Sequence, residues 1–144
     1  MTTFLLDINV LIALIDPAHV QHDRAHVWFA ATGHKAWATC PITENGVLRI
    51  VGHPRYPNSP GSPAAVAVLL AQFRQLPGHA FWPDDVSLLD GEHVKAARLL
   101  DSAHVTDSYL LALARARSGQ LATFDRRIVT DAVMKGQEAF HLID

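Results

Sequence analysis

Phe4-Leu5-Leu6-Asp7-Ile8-Asn9-Val10-Leu11-Ile12-Ala13-Leu14-Ile15 is an apolar run broken at only two places, Asp7 and Asn9. Phe4 to Leu6 are too few and too uniformly apolar to alternate between core and water, which predicts a short buried strand. From Ile8 onward, Ile8, Leu11, Ile12 and Ile15 fall at i, i+3, i+4 and i+7, the spacing of one helical face. A carboxylate between a buried strand and a buried helix is costly unless something satisfies it. Asp7 is therefore either the cap of that helix, accepting backbone N–H groups, or a ligand. The run by itself does not choose.

The same alternation continues outward. Asp16 to Gly33, carrying Ala18, Val20, Ala25, Val27 and Phe29, reads as an alanine-rich helix stopped by Gly33. His22 and His26 within it stand at i, i+4, the spacing of zinc-binding helices, but Asp23-Arg24-Ala25 supplies no glutamate between them. Lys35 to Cys40 predicts a second strand, and Pro41 suits the first position of a helix continuing to Val51, with Glu44 about one turn in. Gly52 to Pro63 holds four of the eight prolines and must be a loop. Ala64 to Leu76 predicts a helix, Ala80 to Trp82 a strand, and Asp84-Asp85 a solvated turn whose neighbours point apart. Asp90 suits the N-cap of a helix from Gly91 to Leu100. Thr106 suits the N-cap of a nearly all-apolar, hence buried, helix ending at Gly119, with Asp107 at its start. Gln120 to Phe124 and Phe140 to Ile143 predict two more strands, the first followed directly by Asp125.

Short apolar strands alternating with helices imply an α/β domain with a mostly parallel sheet, and 144 residues suffice for one such domain, 1–144, with a real core. The hydrophobic fraction of 49% against 18% charged excludes disorder as the main state. A formal charge of −2 excludes a globally basic nucleic-acid binder, so any such binding needs a local patch. A single cysteine, Cys40, permits neither an internal disulfide nor a thiolate metal cage. The N-terminus lacks the features of a signal peptide, and no apolar run reaches membrane-spanning length. A cytoplasmic protein is the expectation.

In open parallel sheets, functional groups collect beyond the carboxyl ends of the strands, at a topological switch point. Asp7 and Asp125 each follow a strand directly; Glu44 lies in the helix after the second strand; Asp107 opens a helix. Capping explains each acid singly and does not explain their convergence. Four clustered acids repel, and without a cation at least one has its pKa raised. Hard divalent ions resolve this: Mg²⁺ takes oxygen ligands, keeps several waters, and suits phosphodiester hydrolysis. Asn9, two residues past Asp7, is placed to orient a ligand or a metal-bound water, with Thr106 beside Asp107 in a comparable supporting position.

Leu5-Leu6-Asp7-Ile8-Asn9-Val10-Leu11, Ile42-Thr43-Glu44, Val105-Thr106-Asp107-Ser108-Tyr109-Leu110-Leu111-Ala112 and Ala122-Thr123-Phe124-Asp125 occur in an order that resembles the PIN-domain ribonucleases, most closely the VapC toxins of bacterial toxin–antitoxin pairs. The Pro-rich stretch around Pro54-Arg55 and Pro60 is similar to that of mycobacterial-type members. The resemblance implies a three-layer α/β/α sandwich and an endoribonuclease dependent on Mg²⁺ or Mn²⁺, leaving 5′-phosphate and 3′-hydroxyl ends. It implies that Asp7, Glu44 and Asp107 hold the principal metal, with Asp125 assisting or binding a second. It further implies a homodimer, inhibited in a heterotetramer or larger complex by a VapB-type antitoxin that places a peptide in the acidic site.

RNA binding by such a chain requires local cations, and Arg49, Arg55, Arg115 and Arg126 follow the acids in sequence, as do Arg117 and Arg127. Arg55 with Tyr56 offers a phosphate and base contact in the Pro-rich loop. Two other classes compete. A phosphoaspartyl phosphatase also places Asp after its first strand, but it needs Asp-x-Asp, and Asn9 cannot act as a general acid. A catalytically silent module would use the same acids to dock an Arg-rich partner peptide.

Overall fold

The computed structural model describes all 144 residues, Met1–Asp144. Its sheet is built from five strands of three or four residues: β1 (Phe4–Leu6), β2 (Trp37–Thr39), β3 (His79–Phe81), β4 (Gln120–Thr123) and β5 (Phe140–Leu142). All pairings are parallel, in the order β3-β2-β1-β4-β5. Leu5 sits in register between Ala38 and Leu121, and all three are fully buried. The chain leaves β1 toward β2 and β3, then returns to the other side for β4 and β5. Its direction of winding therefore reverses between β1 and β4, which opens the carboxyl ends of those two strands as the switch point.

The pleat divides the core into two. Phe4, Leu6, Trp37 and Ala122 face one side, where α1 (Ile8–Ile15), α2 (His22–Ala31), α3 (Pro41–Val51) and α4 (Pro63–Phe73) cover them. Leu5, Ala38 and Leu121 face the other, under α5 (Val105–Ala116), whose Leu110 to Ala114 are fully buried. The three-layer sandwich is thus present, with one regular helix in its second layer. Gly46 lets α3 settle on α1: a Cβ there would lie 2.5 Å from the Ile8 Cδ1. No helix is long and apolar enough to cross a membrane.

Several segments differ from the sequence-based expectation. The stretch expected as one helix from Asp16 begins only at His22, because Asp16 caps the end of α1 and turns fill the interval. The helix expected from Gly91 to Leu100 does not form. Asp90 Oδ1 accepts the Glu92 amide at 2.9 Å, closing a turn, and Val94 pairs antiparallel with Val133. Lys95 N–H donates to Ala132 O at 2.7 Å, so this backbone finds its partners across the chain instead of along a helix. Only Ala96–Arg98 make a short 3₁₀ turn. Thr106 is not the cap of α5; Asp101 caps the 3₁₀ turn Ser102–His104 that runs straight into it. Asp84 is not solvated, since its Oδ2 accepts the Ile42 amide at 3.1 Å and closes the start of α3. Asp85 points elsewhere, to Arg117 at 2.8 Å.

Candidate metal centre

Asp7 begins where β1 ends. Its backbone N–H still donates to Ala122 O of β4 at 3.0 Å, while its carbonyl accepts the Leu11 amide of α1 at 3.0 Å. The side chain is 9% exposed, with Oδ1 accepting Ile8 N–H at 2.8 Å and Oδ2 accepting the Thr123 hydroxyl at 2.8 Å. Asp7 therefore caps α1 and still presents its carboxylate where β1 and β4 end. The same Thr123 oxygen accepts the Asp125 N–H at 3.0 Å, so one buried hydroxyl at the end of β4 positions two acids. Asp125 in turn accepts the Arg127 amide at 2.8 Å through Oδ1.

Asp107 reaches the same place from the first turn of α5. Burial, then the charges of Asp7 and Asp125, push its carboxyl up to about 6, with His104 partly offsetting. Burial likewise raises Asp7 above the usual carboxylate range, against the bonds from Thr123 and Ile8, and Asp125 adds to the rise. The three aspartates thus share a field that none of them neutralises, and no Lys or Arg side chain is paired with any of the three. Their oxygens do not all lie within 4.8 Å of one another. Oxygen-only donors, spaced and unpaired, fit Mg²⁺ or Mn²⁺, which retain waters between ligands.

Glu44 stands apart. Its carboxylate takes the Thr39 hydroxyl at 2.6 Å and an ion pair with Arg74 at 3.1 Å. Because the Thr39 proton goes to Glu44, His79 Nε2 must donate to Thr39 Oγ1, 2.8 Å away. Glu44 is not among the charges that raise Asp7 or Asp107. In this arrangement the glutamate on α3 is tethered toward α4.

The other expected residues separate by position. Asn9 is exposed in the first turn of α1 and lines a cleft of about 560 Å³ with Asp125 and Arg126. Thr106 is exposed and makes no side-chain hydrogen bond. Arg115 lies eight residues along α5 from Asp107, roughly 12 Å at helical rise, and faces His93 at 3.2 Å. Arg49 is exposed in the last turn of α3 and Arg55 in the Pro-rich loop. Tyr56 does not offer a free ring to a base: its hydroxyl donates to Asp16. His22 and His26 serve α1, with His22 Nδ1 2.6 Å from Ala13 O and His26 Nε2 3.0 Å from Leu14 O, where helical carbonyls run out of partners. The one tight cluster of potential ligands, Asp90, Glu92 and His93, is exposed or half-exposed, and its histidine already faces Arg115.

Thr123, Thr39 and Arg74 were not anticipated from sequence. Thr123 carried a signal of the kind that singled out Asp7, a polar residue interrupting an apolar strand just before an acid. Arg74 carried none, since it meets Glu44 only through the packing of α4 on α3.

The PIN domain family profile matches residues 4–131. The chain is 46% identical over 129 residues to Ribonuclease VapC44 of Mycobacterium tuberculosis, covering 90% of each. It is 42% identical over 130 residues to Ribonuclease VapC39 of the same species, covering 90% of this chain and 94% of the relative. Among solved structures it is similar to VapBC2 from Rickettsia felis, crystallised bound to a DNA fragment from the promoter, with a TM-score of 0.53 at 14% identity. That likeness covers 88% of this chain and 93% of the other, and at such identity it bears on the fold.

Proposed function

We infer, because the chain belongs to the PIN domain family and matches VapC ribonucleases over nine-tenths of its length, that it is a divalent-metal-dependent endoribonuclease of VapC type. The observation that carries the reading is the gathering of Asp7, Asp107 and Asp125 at the switch point with no Lys or Arg paired to them, close enough that Asp7 and Asp125 add to the raising of Asp107. A bound Mg²⁺ or Mn²⁺ ion would supply charge neutralisation and Lewis acidity for phosphodiester hydrolysis. Asp7, Asp107 and Asp125 would hold it, and Glu44 would complete the set on leaving Arg74.

The protein's own contribution is positioning. β1 and α1 form a rigid mount for Asp7, and Thr123 fixes its carboxylate while anchoring the turn that carries Asp125. Arg74 and Thr39 keep Glu44 from adding a fourth charge before a cation is present. Asn9, exposed at the cleft, is available to a water or a substrate phosphate. By the same family reasoning the chain acts as the toxin of a type II pair, as a homodimer restrained by a VapB-type antitoxin, with RNA as substrate. The acid group is the natural seat for a cationic side chain of such a partner.

Purified protein freed of any antitoxin should cut RNA when Mg²⁺ or Mn²⁺ is added and stop in EDTA. Asp7→Asn and Asp107→Asn should each abolish cutting. Cleavage at the wild-type rate in those variants would overturn the assignment. If only binding of an Arg-rich peptide is lost and no RNA is ever cut, the protein is a docking module.

A further inference from the structure

The cleft beside Asp125 changes the sign of the surface within a few residues. Asn9, Gln21, Arg24, Phe124, Arg126 and Arg127 line it, drawn from the start of α1, the entry to α2 and the turn after β4. Arg24 is not a loose surface cation. Its guanidinium lies 5.1 Å over the centroid of the Phe124 ring, and its Nη2 donates to Ile143 O at 3.2 Å. The group is thereby held in place, and Arg24 is exposed, so its outer side faces solvent. Arg126 and Arg127 are exposed, carried by the turn that the Asp125 carboxylate closes. The acids near them are Asp125 itself and Asp144, which meets Arg126 at 3.6 Å while 96% exposed and so engages it weakly.

We propose that this cleft seats an unpaired nucleotide of the RNA next to the bond that is cut, with its phosphate on Arg126 and Arg127 and its base laid on the Arg24–Phe124 stack. The proposal rests on the ribonuclease reading and adds the substrate's path and strandedness. Free bases stack on guanidinium planes, whereas duplex RNA has its base faces already covered. Asn9 and Gln21 supply amides that both donate and accept, suited to base edges. An acidic peptide would satisfy the arginines and leave the flat stack unused, so the combination favours nucleic acid.

The test measures binding of a fluorescein-labelled, unstructured 12-nucleotide RNA by anisotropy, in an Asp107→Asn background with Mg²⁺ so that the RNA survives. A perfect RNA duplex and a poly-glutamate peptide serve as competitors. Arg126→Ala/Arg127→Ala should weaken binding at least tenfold and flatten the slope of log K against log salt by about 0.7, the value for one lost phosphate contact on a single strand. Arg24→Lys, which keeps the charge and loses the plane, should weaken the single strand several-fold and leave the duplex unchanged. Lys35→Ala, in the turn before β2 at the opposite end of the sheet, should match the parent. With Asp107 restored, the arginine variants should raise KM and leave kcat.

Because Arg24 also holds Ile143, thermal melting accompanies that variant, and the solvent-facing Arg126/Arg127 pair keeps the proposal testable if Arg24 variants unfold. Binding equal to the parent in the double variant, equal loss for single strand and duplex in Arg24→Lys, or stronger competition from poly-glutamate than from RNA would each overturn the proposal. RNA cutting with unaltered KM in these variants would remove the cleft and leave the ribonuclease standing. Variant-sensitive binding by a protein that cuts nothing would do the reverse.

Discussion

The two ends of α1 hold the same side chain, each with little exposed surface, and treat it in opposite ways. Asp7 at the start is 9% exposed and has its carboxyl raised; Asp16 at the end is 5% exposed and has its carboxyl lowered. Burial raises both, and it is the largest influence on each. Asp7 is the more deeply enclosed of the two, and the supply of donors widens the difference. Asp16 collects the Tyr56 hydroxyl, the Asn58 amide at 2.6 Å and the Ala18 N–H at 2.9 Å, with His19 adding a favourable charge. Asp7 receives two donors and faces another acid. A buried carboxylate with its acceptors filled is a structural tie; one left short beside like charges is stable in full only when a cation arrives. Depth and donor count together separate the raised acid from the lowered one.

The sharpest break of this pairing exchanges each acid for its amide. Asp7→Asn should lower RNA cleavage by two orders of magnitude or more, since even supporting groups around a metal contribute on the order of 10–100-fold. It should leave the melting temperature unchanged or raised, because Asn also caps a helix and no longer places a charge in the core. Asp16→Asn should do the reverse, lowering stability while the residual folded protein keeps its specific activity. If Asp7→Asn unfolds the protein and Asp16→Asn silences it, the division of labour is wrong. Thr123→Val comes next in size. It removes the hydroxyl shared by Asp7 and Asp125, and should reduce cleavage by about 10–100-fold with a matching loss of Mg²⁺ affinity in a metal titration.

Most of the sheet was legible because its strands are buried: Phe4–Leu6, Trp37–Thr39 and Gln120–Thr123 lie within the apolar runs that predicted them. The segment from Gly91 to Leu100 was not, because Asp90 reads as a helix N-cap while Val94 is claimed by Val133, a contact between distant parts of the chain. At the site, Asp7, Asp107 and Asp125 were visible as acids at the ends of elements. Their grouping depends on strand order, which sets β1 beside β4; the alternation of elements implied only a mostly parallel sheet. Glu44 shows where such reading stops. Its place in the first turn of α3 was evident, but its direction is set by Arg74, thirty residues away in sequence and brought near by helix packing. Tyr56 is the converse, a loop aromatic that reads as a binding group and is consumed by Asp16.

Stability in the metal-free state sharpens the comparison further. Tyr56→Phe deletes one hydrogen bond to a buried charge and should cost about 1.5–3 kcal/mol by chemical denaturation at neutral pH. The Asp16 carboxyl is held below its ordinary 3.8, so this contribution is present above that value and is lost as pH falls through the folded-state pKa. The gap between wild type and Tyr56→Phe should therefore close in acid. No gap at neutral pH, or a gap that widens in acid, would show that the Pro-rich loop is not tied through this bond.

Asp107 carries the opposite sign. Its folded-state value of about 6 exceeds the ordinary 3.8, so the folded protein binds a proton that the unfolded chain has released between those values. Stability in EDTA should accordingly fall as pH rises from about 4 to 6 and level off above. A shift of about two units corresponds to about 3 kcal/mol at most; because Asp107 is partly exposed, screening reduces the expected loss to about 1–2 kcal/mol. Asp107→Asn should lack this fall, becoming the more stable protein above pH 6 in EDTA. Adding Mg²⁺ at pH 7.5 should reverse the ranking, since the ion stabilises only the chain that retains its carboxylate. Parallel pH profiles for the two proteins in EDTA would mean that Asp107 does not feel Asp7 and Asp125, and the three aspartates would no longer form one site.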